Sequence, residues 1–138
     1  MVLFINTSQT NLIQLKLIDK NKVIKQSDCI EEFKHSELLL GLIDKLIESI
    51  KLIKLITVVS GPGAFSALRL GIATANTLAW ALKVPIVELS IDEVGDDQEL
   101  IKNIKAKIEK IKDWRIKDFR PIVPKYGREP NITQPKNS

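Results

Sequence analysis

The sequence predicts an α/β protein in which helices pack on a mixed sheet of five strands. Three observations support this fold class. Short apolar segments separated by turn-forming residues open the chain, which is typical of an antiparallel meander. Two longer segments repeat their apolar residues at helical spacing, and two continuous apolar runs alternate with them along the chain. A meander followed by alternating strands and helices indicates a layered α/β fold.

The meander consists of three predicted strands at residues 2–6, 12–18 and 23–26. The turn-forming sequences TSQTN and DKNK separate these strands. Tight turns of this kind join consecutive antiparallel strands.

The first helix is predicted at residues 35–50, HSELLLGLIDKLIESI, because its leucines and isoleucines recur at spacings of three and four. The continuous apolar run at residues 55–59 predicts a buried strand that is parallel to the first strand. Another buried strand is predicted at residues 86–89, after Pro85 ends the second helix.

The most informative stretch is SGPGAFSALRLGIATANTLAWAL, residues 60–82. It opens with a loop whose residues Ser60, Gly61 and Gly63 form a candidate anion site, because free N–H groups at a helix N-terminus attract anions. The stretch lacks the Gly-Lys-Ser/Thr ending of a P-loop, and it is not a GxGxxG motif. The alternative is that the glycines only allow the chain to turn sharply before the helix.

The second helix is predicted at residues 67–82, and a helix that is apolar nearly all round is buried on more than one side. Small residues recur at every fourth position of this helix: Ala67, Gly71, Ala75 and Ala79. They predict a smooth ridge that another helix could approach closely. That helix could be the neighbouring one in the same chain, or it could belong to a partner. Two helices side by side on one sheet leave apolar outer surfaces exposed, which favours a partner protein.

We predict one domain at residues 1–112 and a basic, proline-rich tail at residues 113–138. The domain ends in a helix predicted at residues 99–112, whose isoleucines lie on one side. The formal net charge of +4 lies in residues 112–138, which contain seven Lys or Arg and three Asp or Glu. The tail is either a solvated segment or one that contacts RNA or an acidic partner.

The composition argues against several classes of protein. The chain has 44% hydrophobic and 28% charged residues, as soluble globular proteins do. The single cysteine, Cys29, excludes an internal disulfide, and the single histidine, His35, excludes a His-pair metal motif. No apolar run reaches the roughly 20 residues that span a bilayer, and no signal peptide is recognisable, so we expect a cytoplasmic protein. We expect no metal site and no catalytic residues.

Several motifs resemble those of the TsaB (YeaZ) family. SGPGAFSALRLGIATANTLAWALKVPIVELS, residues 60–90, resembles the family pattern GPGSFTGLRIGLATAKGLA followed by a proline and a short strand. FINTS at residues 4–8 resembles IDTS, and HSELLLGLIDKLI at residues 35–47 resembles HSExLLPxIxxLL. PKYGREPNI at residues 124–132 resembles the family's proline–tyrosine–arginine tail. The motifs occur in the family's order and cover much of residues 1–90.

The resemblance implies an actin-like ATPase fold made of RNase H-like halves, of which this chain contains one half and a tail. It implies a non-catalytic subunit of the tRNA N6-threonylcarbamoyladenosine synthesis complex, which binds and supports the catalytic subunit TsaD beside the ATPase TsaE. The metal and the transfer chemistry belong to TsaD. We therefore expect no cofactor in this chain, and ATP with Mg²⁺ only at the level of the complex. The resemblance further implies tRNA contact, indirectly or through the basic tail, no membrane contact, and a possible homodimer of the free chain.

The family binds its partner through the two helices of the first half. The candidate interface residues in this chain are Leu39, Ile43, Ile47, Ala67, Leu68, Gly71, Ile72, Ala75 and Ala79. The sequence does not decide which of these residues face the sheet instead of a partner.

One departure from the family pattern leaves an alternative function open. Asn6 stands where the family has an aspartate, which removes a charge that could act near a metal or a phosphate. The alternative is a small nucleotide-binding protein or weak ATPase that uses the loop at residues 60–63 and the turn at residues 6–8.

Overall fold

The structure is a computed structural model that describes residues 1–9, 12–29, 36–47 and 50–125. Five strands and three α-helices follow one another in it: β1 Val2–Gln9, β2 Leu12–Asp19, β3 Lys22–Cys29, α1 Ser36–Leu46, β4 Leu55–Gly61, α2 Phe65–Leu82, β5 Ile86–Ser90 and α3 Asp97–Glu109. Every predicted strand and helix is present, in the predicted order. Residues 126–138 of the predicted tail lie outside the described residues.

The strands form one mixed sheet in the order β3-β2-β1-β4-β5. The strands β1, β2 and β3 are antiparallel neighbours, as the two tight turns predict. The strand β4 pairs with β1 in parallel, and β5 pairs with β4 in parallel. A mixed five-stranded sheet with helices on it confirms the predicted α/β fold class.

The two faces of the sheet carry separate apolar clusters, because successive strand residues point to opposite faces. In β1, Leu3 and Ile5 join the cluster under α1 and α2, whereas Phe4 joins the cluster under α3. The larger cluster therefore lies between the sheet and the pair of helices, and among the described α-helices only α3 covers the other face.

The bounds of several elements differ from the predicted ones. Two elements are longer because polar side chains form hydrogen bonds there, and one is shorter. The strand β1 runs past residue 6, and the hydroxyl of Thr7 donates a hydrogen bond of 2.7 Å to the carbonyl of Ala67 in α2. The helix α3 begins two residues early because the Asp96 carboxylate accepts from the Glu99 amide at 2.8 Å. The helix α1 ends at Leu46 instead of residue 50, and a short 3-10 helix follows at Ile50–Leu52.

The first part of the predicted tail packs against the domain. A short 3-10 helix at Ile116–Asp118 is followed by an extended segment that runs to Lys125. We call residues 119–125 the strap. Within the part of the chain that the structure describes, no helix is long and apolar enough to cross a membrane.

Candidate functional site

The structure buries all nine predicted interface residues inside the chain itself. They lie on the sides of α1 and α2 that face the sheet, or directly after α1, and they pack against the sheet and against each other. These residues are Leu39, Ile43, Ile47, Ala67, Leu68, Gly71, Ile72, Ala75 and Ala79. The wide apolar stripe of each helix faces the sheet, because that face buries the most apolar area. In this structure these nine residues therefore belong to the core, and their contact with a partner stays a prediction.

Gly71 shows what the ridge of small residues packs against in this structure. A Cβ atom added at Gly71 would lie 2.0 Å from the hydroxyl oxygen of Thr7 in β1. The small residues thus allow α2 to approach the sheet closely, and the second backbone that they accommodate is a strand of the same chain.

The outer surface of the two helices is the alternative partner surface. We define the outer helix face as their exposed side chains Leu40, Phe65, Arg69, Ala73, Thr77 and Trp80. The large apolar groups Leu40, Phe65 and Trp80 are 48%, 47% and 59% exposed. The guanidinium of Arg69 lies 5.3 Å from the centroid of the Phe65 ring, a cation–π contact on the surface.

Sequence reasoning missed Phe65 and Trp80 as surface residues. A signal was available in the helical spacing, since 100° per residue places Arg69, Ala73 and Trp80 together, opposite Ala75 and Leu82. A large aromatic residue opposite the sheet-facing stripe is one that the protein leaves exposed.

The strap runs along α2 in the opposite direction. Near the end of the helix, the rings of Phe119 and Trp80 meet edge to face with centroids 5.3 Å apart. In the middle, the Asn76 amide donates to the Ile122 carbonyl at 2.9 Å and accepts from the Ile122 amide at 2.8 Å. Before the helix begins, the Lys125 amide donates to the Ser60 carbonyl at 2.7 Å. The strap covers one flank of α2 and leaves the outer helix face exposed.

The predicted anion loop lies between β4 and α2, as expected, but two of its positions are closely occupied. A Cβ at Gly61, whose φ is +137°, would lie 1.8 Å from the Lys125 carbonyl oxygen of the strap. A Cβ at Gly63 would lie 2.3 Å from the Ser8 carbonyl oxygen, which also accepts from the Ala64 amide at 2.8 Å. The glycines therefore permit close packing of backbone here, and anion binding stays a prediction.

A polar cleft of about 390 Å³ lies beside this loop at the carboxyl ends of β4 and β5. The Glu88 carboxylate accepts hydrogen bonds from the Ser60 hydroxyl and the Lys125 ammonium, both at 2.7 Å. Burial alone would raise the pKa of Glu88, but these two hydrogen bonds outweigh it and hold the pKa below its ordinary value of 4.5. The carboxyl groups in this cleft are thus committed to partners in the same chain.

The second acid of the cleft, Glu93, is held in the same way. Its carboxylate accepts from the Ser90 amide at 2.9 Å and lies 3.6 Å from the Lys107 ammonium. The hydrogen bond from the Ser90 amide is the main cause of its lowered pKa, and burial opposes it. Both acids of the cleft are therefore ionised at neutral pH.

Asn6 lies at the end of the sheet where the resemblance places an aspartate. Its side-chain oxygen accepts from the Ser8 amide at 3.0 Å, and its nitrogen donates to Gln14 at 3.5 Å. The hydroxyl of Ser8 is buried without a hydrogen-bond partner among the described residues. The described residues contain no group of three or more His, Cys, Asp or Glu that could hold a metal ion.

Comparison with models of known protein families found a match. The model of the family described as "TsaD: tRNA N6-adenosine threonylcarbamoyltransferase" matches residues 23–93. A comparison with curated proteins found no match.

Two solved structures share the fold. YeaZ from Pseudomonas aeruginosa is 24% identical with a TM-score of 0.59, over 64% of this chain and 43% of that one. A second structure from the same organism, an uncharacterized protein with similarity to peptidase YeaZ, is also 24% identical with a TM-score of 0.59. That likeness covers 64% of this chain and 42% of the other. The chain thus spans about two fifths of the length of these structures.

The likeness to the YeaZ structures supports the fold, and the match to the family model shows which family the chain belongs to. The matched sheet and helices confirm the RNase H-like half-domain that the TsaB resemblance implies. The family match runs from β3 to the residues after β5 and covers just over half of the chain. The chain therefore belongs to the TsaD family of RNase H-like proteins, which is a family of tRNA modification, and it has the fold of YeaZ (TsaB).

Proposed function

We propose that the chain is a non-catalytic, TsaB-like subunit that binds a TsaD-type catalytic subunit through the outer helix face. The observation that carries this proposal is the exposure of Leu40, Phe65 and Trp80 on two helices that cover one face of a TsaD-family fold. Full burial of such a side chain is worth about 1.5–3 kcal/mol, so covering the exposed half of each one is worth about 1 kcal/mol. A partner that covers all three would gain about 2–4 kcal/mol from apolar burial.

The proposed partner is a helical surface. The middle of the outer helix face is made of the small residues Ala73 and Thr77, between the large side chains of Phe65 and Trp80. Small residues flanked by large ones accept the ridge of a packed helix. A bundle of α1, α2 and two partner helices is the geometry that this surface favours.

The chemistry of Asn6 supports the proposed role without catalysis. A side-chain amide cannot serve as a general base, and both ends of this amide are already hydrogen-bonded within the chain. The family model describes transferases, so we place the transfer of the threonylcarbamoyl group, its metal and its nucleotide on the partner. This chain would need no cofactor of its own.

Within such a complex we place a TsaE-like ATPase and tRNA as further partners. The exposed cations Lys112, Arg115, Lys117 and Arg120 precede or begin the strap and are suited to contacts with phosphate groups. A homodimer through the outer helix face is the state that we propose for the free chain, because the same apolar groups are then covered.

The nucleotide-binding alternative is less well supported. The loop at residues 60–63 packs against the backbones of Ser8 and Lys125, and the Glu88 carboxylate stands in the neighbouring cleft. Close packing at this loop leaves little room for a phosphate group at Gly61 and Gly63.

The test is co-purification with the TsaD-type protein encoded in the same genome. We expect Leu40→Glu and Trp80→Glu each to weaken binding by about tenfold or more, because each buries a charge in the contact. The matched control is Ile108→Glu, which changes an apolar residue of α3 that is 37% exposed on the opposite face of the sheet. Equal loss of binding in all three variants, or in none, would contradict the proposed surface.

A further inference from the structure

The strap is an extended segment that is held by contacts with α2 and β4. It contains Pro121 and Pro124, which donate no backbone hydrogen bond and favour an extended chain. Its anchors are the Phe119 ring, the backbone of Ile122 and the backbone of Lys125. These anchors are spread along the length of α2, so the strap is held near both ends and at the middle of the helix.

The strap holds Trp80 without covering it. The ring of Phe119 meets the indole at an interplanar angle of 62°, yet Trp80 remains 59% exposed. An edge-to-face contact of this kind restricts the orientation of both rings. The strap also leaves Val123 exposed to 66%, whereas Phe119 and Ile122 pack against the core. If the strap served only to cover the core, we would expect its own Val123 and the neighbouring Trp80 to be buried rather than exposed.

We infer that the strap is a positioning device for the partner surface: when it lies on α2, it holds Trp80 in the orientation in which a partner binds. This inference rests on the proposed function. A tryptophan at the edge of a contact loses its rotamer freedom on binding, and a tryptophan that is already held loses less. Phe119 and Asn76 are positioning residues in this account, and Trp80 is the residue that touches the partner.

The experiment compares the parent protein with the double variant Asn76→Ala/Phe119→Ala, both carrying Trp114→Phe so that Trp80 is the only tryptophan. Acrylamide quenching of Trp80 reports whether the strap has left the helix. Affinity for the TsaD-type protein of the same genome, measured by titration, reports the consequence. We expect stronger quenching and binding that is weaker by about 2- to 12-fold, the cost of immobilising one side chain.

The matched control is Asn103→Ala. The Asn103 amide donates to the Glu93 carbonyl at 2.7 Å, so this variant also removes an asparagine bond to backbone, but on α3. It should change neither the quenching of Trp80 nor the affinity. Phe119→Leu is the second variant for the case that the double variant does not fold, because it keeps apolar volume against the core and removes the ring contact.

The outcomes distinguish a failure of the inference about the strap from a failure of the proposed function. Stronger quenching with weaker binding supports the inference. Stronger quenching with unchanged or tighter binding overturns it and leaves the proposed function standing. Unchanged quenching also overturns it, since the named anchors then do not hold the strap. Failure of the parent protein itself to bind overturns the proposed function and this inference together.

Discussion

Gly71 lies where α2 crosses β1, and its missing side chain sets how closely the two elements approach. An added Cβ would lie 2.0 Å from the Thr7 hydroxyl oxygen, which donates to the Ala67 carbonyl. We expect Gly71→Ala to lower the free energy of unfolding by about 1–3 kcal/mol, the usual cost of overpacking. A larger residue such as leucine should prevent folding altogether, so it cannot probe partner binding selectively.

Gly41 provides the control for that experiment. It lies exposed in the middle of α1, and a Cβ there would meet no atom within 4 Å. We expect Gly41→Ala to raise the free energy of unfolding by about 0.5–1 kcal/mol, because alanine is the better helix former. Urea denaturation of the two variants measures both changes, and the same sign for both would contradict the packing described for Gly71.

Glu88 predicts how stability depends on pH. Its folded pKa lies below the ordinary value of 4.5, because the hydrogen bonds from Lys125 and Ser60 outweigh burial. The ionised carboxylate therefore stabilises the fold above pH 4.5, and this stabilisation is lost as the pH falls through the folded pKa. We expect Glu88→Gln to lower the free energy of unfolding at pH 7 by less than about 1 kcal/mol, as for an exposed ion pair.

Thermal unfolding from pH 3 to pH 7 measures this effect. The curves of Glu88→Gln and the parent protein should converge toward the acid end of the range. A difference that stays constant across the range would show that the carboxylate charge contributes nothing.

The helix α3 is attached to the sheet by an ion pair as well as by apolar contacts. The Lys16 ammonium, on a side chain that is 7% exposed, lies 2.5 Å from the carboxylate of Asp97 in the first turn of α3. A buried cation without its partner is costly, whereas replacing it by an apolar residue of similar length is often harmless. The pair therefore predicts unequal effects of its two single replacements.

We expect Asp97→Ala to lower the free energy of unfolding by about 1–3 kcal/mol, because it leaves Lys16 buried and unpaired. The control Lys16→Met should change stability by less than about 1 kcal/mol, since methionine fills the same space. Guanidinium denaturation compares the two variants. Equal effects of both would contradict the burial of Lys16.

At the scale of elements, the order and direction of strands and helices could be predicted because each depends on a local pattern. Turns between residues 9 and 23 require antiparallel neighbours, and the apolar run of β4 requires a covered strand. The ends of elements depended on individual hydrogen bonds instead, one of them tertiary and one a local helix cap. Thr7 extends β1 through a bond to α2, and Asp96 starts α3 by capping it.

The contacting residues of the site could not be predicted in the same way. Helical spacing correctly placed Leu39, Leu68 and Ala75 on common stripes, but it does not say whether a stripe faces a sheet or a partner. The amount of sheet available to cover each helix decides that, and it follows only from the assembled fold. The strap illustrates the same limit, because Asn76 and Ile122 are 46 residues apart in sequence.

At the scale of the whole molecule, the two faces of the sheet have different outer surfaces. One face carries α1, α2 and the strap, with exposed Leu40, Phe65, Trp80 and Val123. Among the described α-helices only α3 lies on the other face, and its exposed positions include Lys102 and Lys105. The concentration of large exposed apolar groups on the side of α1 and α2 favours docking through that side.

The most direct test of that direction is oxidative footprinting of the chain, free and bound to the TsaD-type protein of the same genome. The method reports the exposure of individual side chains by mass spectrometry. The account predicts that Leu40 and Trp80 are oxidised in the free chain when it is diluted to a monomer and protected in the complex, while Ile24 and Ile108 are oxidised equally in both. Protection of Ile24 or Ile108 with continued oxidation of Leu40 and Trp80 would contradict it.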